Sequence, residues 1–271
     1  MLLLQKVFLF SLLALLVPQT TTQNSKQELN DQLFDAVRKG DAAGVTAALD
    51  KGADVNAKFR YGQTALFKAA ERGNADVAKI LLDRGADVNV KDTFYQATAM
   101  TWALDGKHVG VVRLILDKSA EDVDDVLLTG TRENNQELIK VALDKGGVKA
   151  ENLTAALVLA TEDKNTAVAD VLTKAGAKPP IEVDAATLQT YAGKYKGDPG
   201  PDATISVQEG KLMVMVVGVT RQPQRLIALD NTTFRPLAFG GITLTFNSEG
   251  GKVTGMALKQ GNSTTQMKRI D

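Results

Sequence analysis

Side chains able to do chemistry are scarce in this chain. There is one histidine, His108, and no cysteine. Without a thiol there is no disulfide, thiolate metal site, iron–sulfur cluster or cysteine nucleophile. One imidazole cannot build the paired-histidine zinc sites. The spacings S-x-x-K, G-x-S-x-G and H-E-x-x-H are absent, as is a phosphate-cradling P-loop. Carboxylates do cluster, at Glu121-Asp122 and Asp124-Asp125. Such a run could hold calcium, but no EF-hand spacing supports it, and a solvated charge run explains it as well. Catalysis would need a cleft with paired acidic groups of shifted pKa, and no cofactor is implied.

Charge excludes further classes. Lys and Arg number 32, as do Asp and Glu, so the formal net charge of the 271 residues is zero. Nucleic-acid binders meet phosphates with a basic surface, which this chain lacks. Lys194, Lys196, Arg221, Arg225 and Arg235 make the C-terminal part mildly basic, too little for a polyanion partner. With 44% hydrophobic and 24% charged residues the chain reads as globular, and its length suits about two domains.

The elements that must position any site start after an export-type leader. Lys6 precedes an apolar run from Val7 to Val17, which Pro18 ends. A charged start, short apolar centre and polar end form a signal-peptide pattern over residues 1–23, cut near Thr22. The run is shorter than the ~20 residues a spanning helix needs. A secreted or periplasmic chain without stable membrane insertion is expected, the alternative being that the leader stays on as a short anchor. Asn152, Asn231 and Asn262 open glycosylation sequons, relevant in a eukaryotic source.

Beyond the leader the chain repeats itself. Gly-Ala-Asp-Val-Asn stands at 52–56 and again at 85–89, a spacing of 33. Thr64, Ala69, Val77 and Asp83 recur as Thr98, Ala103, Val111 and Asp117, a shift of 34. Weaker copies lie at 135–147 and 166–177, and the first runs over 33–56. Leu66, Ala69, Ala70, Val77, Ile80 and Leu81 fall at helical spacing on one face of two short helices. One such pair cannot bury that face alone, so neighbours must stack. Gly73 and Gly85 follow helix ends, where a left-handed residue is wanted.

Residues 29–178 resemble ankyrin repeats. The second copy carries the pattern in Thr64 to Ala70, Gly73-Asn74, Leu81-Leu82 and Gly85 to Asn89, with Ala65 and Phe67 where the family prefers proline and histidine. The last two copies have lost the G-A-D-V-N turn and are expected to lack a projecting hairpin. The resemblance implies a concave surface for protein partners. By position it would include Arg60, Tyr61, Gln63, Lys68, Glu71 and Arg72, then Phe94, Tyr95, Trp102 and Asp105. Aromatic and arginine anchors dominate binding hot spots. Phe59 also falls at an expected surface position, and Trp102 and Phe94 could equally cover the stack edge or pack against the second domain. The resemblance gives His108 a structural place, bonded locally to a backbone group.

At Lys178-Pro179-Pro180 the helical period gives way to alternation. Short alternating runs lie at 191–197, 203–208, 211–218, 224–230, 232–238, 242–246, 252–260 and 264–270, separated by turn residues. Eight evenly spaced strands suggest a small antiparallel barrel. Leu188, Tyr191, Gly193, Tyr195, Phe234, Phe246, Gly251, Gly255 and Gln260 carry a resemblance, over 184–271, to the uncharacterised lipocalin-like domain that often follows serine β-lactamase-like peptidases. The S-x-x-K nucleophile motif of those peptidases is missing here.

The expected fold is therefore α+β and multidomain: an α-solenoid of about five ankyrin repeats (29–178), a linker (179–183) and an antiparallel barrel of about eight strands (184–271). The two prolines predict an extended spacer with modest contact between the modules. The functional expectation is an exported, non-enzymatic scaffold binding a protein partner on the concave ankyrin surface. The alternative is small apolar ligand binding, or partner regulation, by the barrel. Met213, Met215, Met256 and Met267 could line its interior, or simply fill it.

Overall fold

The computed structural model describes residues 17–237 and 240–271. Residues 1–16, with the charged start and most of the apolar run of the leader, lie outside the described residues. Among those described, no helix is long and apolar enough to cross a membrane.

Among the described residues, five helix pairs come first: α1 (Val17–Lys39) with α2 (Ala42–Asp50), α3 (Ala65–Glu71) with α4 (Ala75–Asp83), α5 (Ala99–Asp105) with α6 (Val109–Lys118), α7 (Val123–Arg132) with α8 (Gln136–Lys145), and α9 (Ala150–Glu162) with α10 (Thr166–Lys174). One local device makes each pair. A left-handed residue ends the first helix, at Gly40, Gly73, Lys107, Asn134 and Lys164. The next residue caps the second helix. Asp41, Asn74, Asn135 and Asn165 accept there from backbone N–H groups that have no helical partner, each cap adding about 1 kcal/mol. His108, in the same place, makes no side-chain cap.

Left-handed backbone strains any residue but glycine by about 1 kcal/mol or somewhat more. Lys164, at φ 56°, carries that strain. Lys164→Gly is expected to raise stability by about 0.5 kcal/mol after glycine's larger unfolded entropy is subtracted. A lower denaturant midpoint in that variant would contradict this account of the turn.

The apolar stripe is buried as its period requires. Leu66, Ala69, Ala70, Val77 and Leu81 are inaccessible and Ile80 half-buried. Small residues let helices close up: a Cβ on Gly130 of α7 would stand 2.9 Å from the Ile139 nitrogen and Leu138 Cβ of α8. Long connections separate the first three pairs, residues 51–64 and 84–98. The later connections, 119–122 and 146–149, are four residues each, so the last two copies lack projecting hairpins. Asp124 and Asp125 lie in the first turn of α7, where carboxylates complement the positive helix end. Asp124 also accepts from the Lys149 backbone at 3.0 Å.

The C-terminal strands are β1 (Gly193–Gly197), β2 (Ala203–Gln208), β3 (Lys211–Val216), β4 (Gln224–Ala228), β5 (Thr233–Pro236), β6 (Ile242–Glu249), β7 (Lys252–Gln260) and β8 (Ser263–Arg269). They pair in sequence order, and β8 returns to β1, closing an antiparallel barrel without free edges. A short helix, α11 (Ala185–Tyr191), precedes them, capped by Asp184. Sequence alternation did not reveal it.

From α11, Leu188 and Tyr191 enter the barrel core. Tyr191 stacks on Phe246 at 4.2 Å, and Phe234 and Tyr195 meet Phe246 edge-on at 5.7 and 5.9 Å. The Tyr191 hydroxyl donates to the Asn231 carbonyl and the Tyr195 hydroxyl to the Tyr191 carbonyl. Burial pushes the Tyr195 phenol up to about 12, so it stays a donor. Aromatic rings thus fill the end of the barrel that α11 covers. Of the four methionines, Met256 and Met267 point inward and are buried. Met215 faces outward at 40% exposure, because β3 turns Leu212 and Val214 to the core.

The chain divides into two compact units, residues 1–122 and 123–271. The last two helix pairs group with the barrel rather than with the first three pairs. The outer face of β4–β5 lies against α9. Arg235, 2% exposed, donates to the Glu151 carbonyl at 3.1 Å and to the Asn152 side-chain oxygen. Glu162 pairs with Lys211 at 2.9 Å and with Arg225. Asn152 is buried against Arg235, which removes it as a glycan acceptor in the folded chain.

Candidate partner-binding surface

The two hairpins of the first unit carry the candidate residues. Asn56, last of the first G-A-D-V-N, ties one repeat to the next: its amide donates to the Gly85 carbonyl and its oxygen accepts from the Asp87 N–H. The Thr93 N–H donates to the Tyr61 carbonyl at 2.8 Å, joining the hairpin tips. Asp92 shapes the second tip. Its Oδ1 accepts from the Phe94 and Tyr95 N–H groups at 2.9 and 2.6 Å, an Asx turn that throws both rings outward.

The result is a chain of rings. Tyr61 lies 6.0 Å from Phe94, Phe94 meets Tyr95 edge-on at 4.6 Å, and Tyr95 meets Trp102 at 6.1 Å. Interplanar angles of 52°, 84° and 71° make these rings walls rather than a flat stack. They enclose a recess of about 390 Å³, completed by Gln63 and Asp92. Phe94 and Tyr95 are 67% and 68% exposed and Tyr61 is 48% exposed. Trp102 is half-buried. The Arg60 guanidinium sits 4.7 Å above the Tyr61 ring.

The structure thus brings Arg60, Tyr61, Gln63, Phe94, Tyr95 and Trp102 together. Lys68 is half-buried and pairs with Glu71 on the same helix. Arg72 and Asp105 are exposed at the ends of α3 and α5 and do not line the recess. Phe59 is elsewhere, stacked on Phe34 of α1 at 4.1 Å. The bond of His108 is not local: its Nε2 meets the Glu71 carbonyl, one repeat back, at 3.2 Å. Gly73 leaves room for that ring, since a Cβ there would lie 2.3 Å from Nδ1.

Asp92 was not among the expected site residues. It is 1% exposed, and its Oδ2 has no partner among the described residues; the buried Trp102 indole N–H is likewise unpartnered. A buried acceptor and a buried donor therefore border one aromatic recess. The only signal in the sequence was an aspartate two residues before paired aromatics, a spacing shared by many turns.

Shifted carboxylates lie elsewhere: burial, with Asp124 beside it, raises Asp125 in the first turn of α7, the Lys79 ammonium lowers Asp83, and two others cap turns. The Thr187 hydroxyl holds Asp184 below the usual range, and the Thr232 N–H does the same for Asp230. Among the described residues, no group of three or more His, Asp or Glu is placed to hold a metal ion.

Comparison with known families assigns both regions. Residues 33–126 match the model of ankyrin repeats, in three copies. Residues 177–270 match a domain of unknown function, DUF3471, here an all-β barrel. No curated protein matches the chain.

Proposed function

We propose that this chain, with ankyrin repeats ahead of a DUF3471 barrel, is an exported, non-enzymatic scaffold that holds a protein partner on its ankyrin surface. The supporting observation is the exposed ring chain Tyr61–Phe94–Tyr95–Trp102 with its recess. Rings of this size lose little side-chain freedom on binding and bury much area, which suits them as anchors. Arg60, Gln63, Lys68, Glu71, Arg72 and Asp105 would form the polar rim. Export rests on the leader pattern of residues 1–23, and the mature chain would act in a periplasm or outside the cell.

The test compares the mature chain with a Tyr61→Ala, Tyr95→Ala, Trp102→Ala variant that keeps its helical circular dichroism. Each is used as bait in cell-envelope and culture-medium fractions. A partner recovered by the parent and at least tenfold depleted with the variant supports the reading. A partner held equally by both moves the site off the ankyrin surface. The export half is read from the mass of the native chain, expected to begin near Gln23. A full-length chain in the cytoplasmic fraction would refute it.

A further inference from the structure

The barrel core is filled from one end only. α11 and the rings of Tyr191, Phe234 and Phe246 occupy the end with the β2–β3, β4–β5 and β6–β7 turns. At the opposite end the inward-facing residues leave a cavity of about 380 Å³. Its composition changes with depth. Val214, Leu244 and Met267 are buried at its inner end. Thr265 is half-buried, and Gln224 and Gln260 stand at the strand ends near the mouth. Val219, on the loop after β3, is 69% exposed beside them.

Among the described residues, no ionisable side chain lines this cavity. An eight-stranded barrel is wide enough for one small ligand, and ligand sites are typically apolar with a few polar groups that fix orientation. A charge moved here would lose its water and find no countercharge. A hydroxyl, ester or amide could instead meet the threonine and glutamines. We propose that the open end of the barrel binds an uncharged apolar small molecule, its apolar body against Val214, Leu244 and Met267 and its neutral polar end at Gln224, Gln260 and Thr265. This site is separate from the ankyrin surface and does not depend on a protein partner there.

The probe is N-phenyl-1-naphthylamine, an uncharged fluorophore, titrated into the full chain. Saturable binding at one site per chain is expected, with displacement by 1-dodecanol. Dodecanoate at neutral pH should displace at least tenfold less well. Thr265→Trp, which fills the mouth, should weaken the probe at least tenfold, and Met215→Ala, on the outer face, should leave it unchanged. If Thr265→Trp loses the β-sheet circular dichroism, Gln260→Trp at the exposed rim takes its place with the same expectation. No saturable binding, an unchanged affinity in a folded mouth variant, or equal displacement by alcohol and carboxylate would each overturn the proposal.

Discussion

Phe246→Ala is expected to cost the barrel about 4 kcal/mol, within the range for removing a buried phenylalanine. Phe246 is the ring that the other three share, with Tyr191 stacked on it and Tyr195 and Phe234 edge-on. Its loss removes the transfer energy of one ring, leaves a hole and breaks three ring contacts, each adding about 0.5–1 kcal/mol beyond burial. The β-sheet offers little relief, since a closed barrel cannot collapse around a void without shifting register. Phe246→Leu should cost much less, about 1.5 kcal/mol, because most of the volume remains. The check is denaturant unfolding followed by far-ultraviolet circular dichroism. The single tryptophan lies in the other compact unit, so its emission would miss the event. A loss below about 1.5 kcal/mol for the alanine variant would mean the ring cluster is not the keystone of the barrel.

Arg235→Ala should cost about 3 kcal/mol, from leaving buried acceptors unpaired and opening a cavity where the side chain stood. The guanidinium is buried outside the barrel and inside the unit, and burial lowers its pKa. Across to α9 it donates to a backbone carbonyl and an amide oxygen. Truncation leaves both without that donor and opens the space of the arginine stem. Arg235→Met refills the stem and should recover about 1 kcal/mol of the loss, the worth of the buried methylenes. Hydrogen exchange locates the effect: amides of α9 near Asn152 should exchange faster in Arg235→Ala, while those of α3 and α4 should not. Uniform acceleration through every helix would contradict a local fastening.

The contrast between these two sites explains what could be read from sequence. Phe246 follows a strict alternation, and alternation reports which face is inside whatever lies beyond it. The ankyrin repeats were legible for a similar reason: the copies supply their own comparison, so Thr64 and Thr98 or Asn56 and Asn89 mark the same place twice. Arg235 belongs to neither pattern. It alternates outward, as a solvent-facing arginine should, and the helices packed on that face make it interior. α11 was missed because its seven residues ran into β1 without a break in composition. Met215 was misplaced because residue type was weighed over its odd position beside Leu212 and Val214. Within the recess, the rings were legible as a cluster of rare residues. Asp92 was not, because its role depends on an Asx turn that many aspartates make to no further end. Phe59 shared their rarity and stacked instead on α1.

The way the repeats end bears on how such a chain can change length. Helix pairs joined by 33- or 34-residue steps stack on their immediate neighbours alone. A duplicated copy inserted among the hairpin-bearing pairs would meet neighbours shaped like its own and leave Arg235 in register with Asn152. The same insertion after α9 would part that arginine from its acceptors and Glu162 from Lys211 and Arg225. The array is thus open to growth on the side that carries the rings and locked on the side that carries the barrel. Sister chains built on this plan should differ in the number of hairpins they display and agree in the last two pairs.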